Sequence, residues 1–289
     1  MLTGSLCGGL LVLVFVLAVW TPAGQRFEDA VLNGADRTAG SVEGVRATDA
    51  LDRISAPTVL LAIGVVLAIG FLRRKALLGL VAVGVVAASI VTAEVVQHSF
   101  RRPMLLPAGY RREDQSFPSG HTAVAMSVMC ALVLVTPYRF RGAVLLLTSI
   151  GAGVIEVAAV TASWHRPSDT LGSDLIALLF TCLAVLLLAR LGWAAPADPV
   201  SAPGRAGRGA LATGYAAVAV LAFGVAIVVA ARLIAHHADG SVDGPAFLAG
   251  RALALGGSAT VALTLLGLLR GVDFTPTVSA PTKDRELAW

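Results

Sequence analysis

Eight stretches of this chain are long and apolar enough to be read as membrane-crossing helices: roughly 5–22, 57–72, 76–95, 119–136, 143–163, 170–192, 210–235 and 247–269. The second is the shortest. A spanning helix needs about 20 mostly apolar residues, and a backbone in hydrocarbon must pair its own polar groups. Such runs therefore predict an all-α, polytopic membrane helix bundle of about eight transmembrane helices. Composition agrees. Only 14% of the residues are charged and the mean hydropathy is +0.81, against roughly 25% charged residues in soluble domains.

The formal charge is +4, but the basic residues are spread over several loops instead of forming one stripe, so nucleic acid is not an expected partner. Their distribution orients the chain. Arg73, Arg74 and Lys75 follow the second run, Arg139 and Arg141 the fourth, Arg190, Arg205 and Arg208 the sixth, and Arg270, Lys283 and Arg285 the eighth. If the helices alternate in direction, all these loops share one face, which the positive-inside rule makes cytoplasmic. The expectation is a multi-pass protein of the cell membrane with both termini in the cytoplasm. The first run carries no Lys or Arg ahead of it, so it reads as a retained helix in preference to a cleaved signal. Cys7, Cys130 and Cys182 all lie within apolar runs without disulfide or metal-ligand spacing and read as small packing residues.

Four regions follow. Residues 1–193 form a six-helix core. Residues 194–209, rich in Pro, Ala and Gly, read as a flexible cytoplasmic linker. Residues 210–270 read as an additional transmembrane hairpin, an appendage to the core. The polar tail 271–289 reads as disordered. The loop 23–56 mixes apolar and charged positions. It allows short surface helices, but a solvated connector is the preferred reading.

Helical hairpin geometry brings distant polar residues to one place. The fourth run starts at Ser119, and the fifth returns the chain to the same face near Ser163, each rising about 1.5 Å per residue. His121 and His165 therefore meet at the outer boundary, together with Asp169 and the arginine-bearing loop 96–118. Each residue alone has an ordinary reading. Ser119 suits a helix N-cap, Asp169 suits the positive end of a helix, and a single interfacial His or Arg suits an anchor. Together they describe chemistry. A helix N-terminus offers unpaired N–H groups to a phosphate, Gly120 permits close approach, and Ser119 adds a hydroxyl. His165 and Asp169, four residues apart, make an oriented nucleophilic imidazole, and His121 supplies a proton. This assembly performs phosphoryl transfer without a metal or other cofactor.

At these residues the sequence resembles the type 2 phosphatidic acid phosphatase (PAP2) superfamily, whose motifs are Lys-x6-Arg-Pro, Pro-Ser-Gly-His and Ser-Arg-x5-His-x3-Asp. The second is present as Pro118-Ser119-Gly120-His121, and the third keeps His165-Arg166-Pro167-Ser168-Asp169. The resemblance covers roughly residues 57–190. It implies that His165 attacks phosphorus to form a phosphohistidine, Asp169 holds its imidazole, and His121 protonates the leaving group. It also implies that Ser119 and the Gly120 amide bind phosphoryl oxygens.

Two cations of the family pattern are absent. Counting back from Arg102-Pro103 puts Val95 at the lysine position; alignment to a doubled Arg-Pro variant puts Gln97 there and Met104 at the second arginine. The Ser-Arg pair is Ala158-Ala159. Lys75 and Lys283 both lie on the opposite face. The expected phosphate ligands are therefore Arg102 first, with Arg101, Arg166, Arg111 and Arg112. Glu156, about 13 Å of helix rise below His165, must be protonated or have a partner, in a polar seam or by orienting one of these arginines. Asp174 and Glu94 read as structural. His98, His236 and His237 have no partner pattern and no assigned role.

The expected activity is hydrolysis of phosphate or diphosphate monoesters of lipids at the outer leaflet: phosphatidic acid, phosphatidylglycerol phosphate or a polyprenyl diphosphate. Two alternatives stand beside it, a lipid phosphotransferase using the same site and a catalytically silent PAP2-like lipid-binding protein.

Overall fold

A computed structural model describes residues 2–106, 116–197, 205–235 and 243–275. Among these, ten α-helices and two short strands follow in chain order: α1 (Leu2–Val19), α2 (Pro22–Asp36), α3 (Val42–Asp52), α4 (Ala56–Leu72), α5 (Ala76–Ser99), α6 (Gly120–Val135), α7 (Arg141–Thr161), α8 (Pro167–Arg190), β1 (Ala194–Pro196), α9 (Arg205–Ala235), α10 (Asp243–Leu268) and β2 (Val272–Phe274). The eight apolar runs correspond to α1 and α4–α10. Six of the eight are long enough on their own to cross a bilayer, α6 is a shorter apolar helix, and α4 qualifies only when joined to α3 across a 59° bend.

The bundle is built around α6, which packs against α5, α7 and α8, while α1 lies along α8. Its core gathers Leu78 and Val85 from α5, Met126, Met129 and Leu134 from α6, Leu145 from α7 and Leu178 and Leu188 from α8. Apolar residues also face outward, among them Leu60, Leu147, Ile150 and Val220. A soluble protein would not spread so much apolar area, whereas lipid tails accept it readily.

Loop 23–56 is not a solvated connector. It holds two capped helices. Thr21 accepts the Gly24 amide at 3.0 Å with Pro22 opening α2, and Ser41 accepts the Gly44 amide at 3.2 Å to start α3. The connector reading failed because it treated charged Glu28 and Asp29 as solvated. Both are buried, alongside Val31, Leu32 and Ala35.

The hairpin α9–α10 is likewise no appendage. α10 packs against α7, α2 and α8 as well as α9. Small residues make this possible: a Cβ on Gly250 would lie 2.6 Å from Val31 and 3.0 Å from Pro167, the kind of close backbone approach that membrane helix contacts favour. Arg37 of the α2 end also pairs with Asp243 at the start of α10.

The proposed linker and tail both begin with ordered strands. β1 pairs antiparallel with β2, Ala195 opposite Asp273, so residues 194–196 and 272–274 clasp each other. Arg141 donates to the Val272 carbonyl at 2.7 Å, and Lys75 donates to that of Phe274. Asp273 lies 3.9 Å from Arg73 and 3.8 Å from Arg141. The linker reading of 205–209 gives way to the first turn of α9.

Candidate active site

The site forms where α7 ends and where α6 and α8 begin. α7 closes with a left-handed turn: Ser163 has φ +60°, its amide reaches the Val160 carbonyl, and the amides of Trp164 and His165 both reach that of Ala159 at 3.1 Å. This is the C-terminal arrangement normally given to glycine. It swings the chain sharply, so that His165 emerges directly over the helix end. Arg166 is extended, with Pro167 opening α8.

Asp169 sits one turn into α8 and is fully buried. Its Oδ2 accepts the Arg166 amide at 2.8 Å and the Ser116 hydroxyl at 2.5 Å, and lies 3.4 Å from His165 Nδ1. The last distance exceeds the usual 2.9–3.0 Å or so of a hydrogen bond, and catalytic contacts of this kind tighten when substrate binds. With Nδ1 turned to Asp169, Nε2 is the imidazole atom left to react.

Ser119 caps α6, accepting the Thr122 amide at 3.3 Å. Its own amide donates to the Asp169 carbonyl at 3.0 Å, and its carbonyl accepts the Ser173 hydroxyl at 2.7 Å. These bonds tie the two helix starts together, so two positive helix ends converge on one spot. His121, half-buried on the first turn of α6, has its ring centroid 6.1 Å from that of His165 and stands edge-on to Trp164 at 5.4 Å. Two imidazoles from separate spans thus flank a common space, at the positive ends of two helices.

Phe117 supports this arrangement. It is buried against Gly172 of α8, where an added Cβ would lie 2.5 Å from its ring. Gly172→Ala should therefore displace the segment carrying Ser116 and Ser119. An overpacking penalty of about 1–3 kcal/mol is expected, read as a lowered unfolding temperature in detergent together with reduced turnover.

The arginines are distributed unevenly. Arg166 is buried and its Nη1 donates to Ser116 at 2.8 Å, so it supports Asp169 through that hydroxyl. Arg102 is buried against Glu28 of α2. Arg101 is exposed, and Arg111 and Arg112 lie outside the described residues, as do His236 and His237. Glu28 had no place in the sequence reading. It lies 74 positions from Arg102 and beside Ser168, Arg166 and Asp169. Burial raises its carboxyl above the ordinary carboxylate range, while Arg102 pulls it back down.

The positions of the missing family cations have other occupants. Val95 is exposed on α5. Ala158 and Ala159 are buried in a small cluster with Ala47 and Leu51 of α3, so that helix fills the room that longer side chains would need there. Glu156 meets Asp174 across the α7–α8 contact, not an arginine, and Asp174 in turn lies against Gly257 of α10. Glu94 lies near Gly120 and its carbonyl bonds His98 at 2.8 Å. Among the described residues, no group of three or more His, Cys, Asp or Glu side chains is placed to hold a metal.

Residues 78–193 match the family model of the PAP2 superfamily. This segment is similar to the PAP2 superfamily over its matched length. It contains α5 through α8, and therefore both histidines, Asp169 and the helix starts that carry them. Over 66% of this chain and 98% of that one, the fold resembles the crystal structure of a transmembrane PAP2-type phosphatidylglycerolphosphate phosphatase from Bacillus subtilis, with a TM-score of 0.54 and 20% sequence identity. No curated protein matches the chain. α2, α3, α9 and α10 lie outside the matched PAP2 segment.

Proposed function

We propose that the protein is an integral membrane phosphatase that hydrolyses phosphate monoesters or diphosphates of lipids through a phosphohistidine. The observation that carries this reading is the pairing of His165, backed by Asp169, with His121 across a gap of 6.1 Å between ring centroids. In the first step His165 Nε2 attacks phosphorus while the bond from phosphorus to the lipid oxygen breaks. His121 gives its proton to that leaving oxygen. In the second step His121 takes a proton from water, which attacks the phosphohistidine and releases phosphate with the imidazole restored. Asp169 fixes the Nδ1–H tautomer of His165 in both steps. The converging helix starts stabilise the phosphoryl oxygens, an electrostatic contribution usually among the largest in such chemistry.

The distribution of basic loops supports an extracytoplasmic position for this site. α6 has 16 residues, about 24 Å of rise against a hydrocarbon core of about 30 Å. Its N-terminus can therefore lie below the bilayer surface, where a lipid headgroup descends to meet it and the chain stays among helices. Phosphatidic acid, phosphatidylglycerol phosphate and polyprenyl diphosphates all fit this description; the Bacillus subtilis neighbour supports the second.

A second reading, a catalytically silent lipid-binding member, draws on Arg102 being engaged by Glu28 and on α3 filling the space beside Ala158 and Ala159. Purified protein assayed against these three lipid classes decides between them. Free phosphate is expected from at least one, with vanadate inhibiting its release. Phosphate appearing instead on an added alcohol identifies a phosphotransferase, and no turnover with any of the three supports the silent reading.

A further inference from the structure

A cavity of about 560 Å³ opens on the lipid-facing side of the bundle, between α3, α7, α9 and α10. Its size falls within the range of about 300–1,000 Å³ typical of ligand pockets. Three of its four walls lie outside the matched PAP2 segment, so it is a feature of the added elements and not of the two-histidine site.

The walls are apolar. Ile150 and Val154 of α7, Val218 of α9 and Leu255 of α10 line it and are exposed to the surroundings. Along α7 it runs from Leu146 to Thr161, about 22 Å of helix rise. That exceeds half of a hydrocarbon core about 30 Å thick, so a chain lying in it passes the bilayer midplane. The Ser149 hydroxyl bonds that of Tyr215 at 2.7 Å and ties α7 to α9 in the deeper half.

The other end is charged. Glu43 and Arg46 of α3 meet Arg251 of α10 there. Glu43 bonds Arg251 at 2.7 Å. Arg46 is exposed and has no ion pair among the described residues, so the three charged residues lining this end sum to one net positive charge. A long apolar channel with a cationic mouth complements a hydrocarbon chain with an anionic head, and water has no partners along such walls.

We propose that this groove is a resident-lipid site: it holds one acyl chain of an anionic phospholipid, whose phosphate is bound by Arg46 beside the Glu43–Arg251 pair. The hairpin α9–α10 and the helix α3 then serve to build this second site. It is independent of the proposed catalysis.

The test uses the full-length protein in phosphatidylcholine vesicles containing a minor amount of phosphatidylglycerol with a photoactivatable diazirine in one chain. Label is expected on Ile150, Val154, Val218 and Leu255. It should fall about fivefold in Arg46→Gln, and equally with a phosphocholine head on the same probe, the effect of about one basic residue on an anionic lipid. Val154→Trp, which fills the groove from an exposed wall position, should abolish the labelling, and His165→Ala should leave it intact. Label confined to other helix faces, equal labelling by the two head groups, or full labelling in Val154→Trp overturns the proposal. So does labelling that vanadate displaces, since the groove would then hold the substrate's own chain.

Discussion

His165→Ala is expected to lower phosphate release from lipid phosphates by about 10⁴–10⁶-fold, the scale on which a covalent nucleophile contributes when it acts as part of a unit. The expectation follows from the placement of the ring: Nδ1 faces Asp169 Oδ2 at 3.4 Å, and the ring centroid lies 6.1 Å from that of His121. His121→Ala should lose less, about 10²–10⁴-fold, the usual share of a general acid. It should be least impaired on substrates whose leaving group needs no proton. The same purified variants, assayed for radiolabelled phosphate trapped on protein, separate the roles. Label should accumulate in neither wild type nor His165→Ala, and in His121→Ala only when the second step becomes slow. A His165→Ala variant retaining a tenth of wild-type turnover would remove the nucleophile from the mechanism and transfer the argument to another side chain.

The second large effect concerns stability. Glu28 and Arg102 form an ion pair whose side chains are 3% and 5% exposed. Removing one member of such a pair strands the other charge in a dry environment and typically costs about 3–5 kcal/mol. Glu28→Ala should therefore be among the most destabilising single substitutions in the chain, read as loss of folded protein during heating or denaturant titration in detergent. The paired replacement Glu28→Leu with Arg102→Met should cost less than either change alone, because two apolar groups of similar size leave no charge behind. An additive double variant would show that the two side chains do not depend on one another. Activity separates a second consequence. Glu28 lies beside Ser168, Arg166 and Asp169, so Glu28→Gln, which preserves shape, should change turnover more than folding if the charge balance around Asp169 matters to the reaction.

What the sequence disclosed, and what it hid, follows from the range of the interactions involved. The spans were legible because an apolar run of sufficient length admits few structures in hydrocarbon, and their ends came within a few residues of α1 and α4–α10. The meeting of His121 and His165 was legible because a hairpin of two spans must return to its starting face. The helices α2 and α3 were hidden by their own charges: Glu28 and Asp29 look like solvent-facing residues until Arg102, 74 positions away, supplies a partner. Ser116 was passed over for a similar reason. Nothing local marks it, and its bonds run to Asp169 and Arg166, 53 and 50 positions downstream. The strands β1 and β2 are three residues each, too short to show any alternation. The helices α2 and α3 and the role of Ser116 were hidden by polar partners distant in the chain, whereas the docking of α10 was hidden because small residues such as Gly250 carry no local signal of what they pack against.

The antiparallel clasp of β1 and β2 changes how the parts of the molecule are joined. It fastens the exit of α8 to the exit of α10, so the last two helices are tethered at both of their ends, once by the peptide backbone and once by a short seam of hydrogen bonds. A wall anchored in this way cannot swing out as a hinged flap. Even with the backbone severed between Pro196 and Arg205, the two pieces would remain laced to each other.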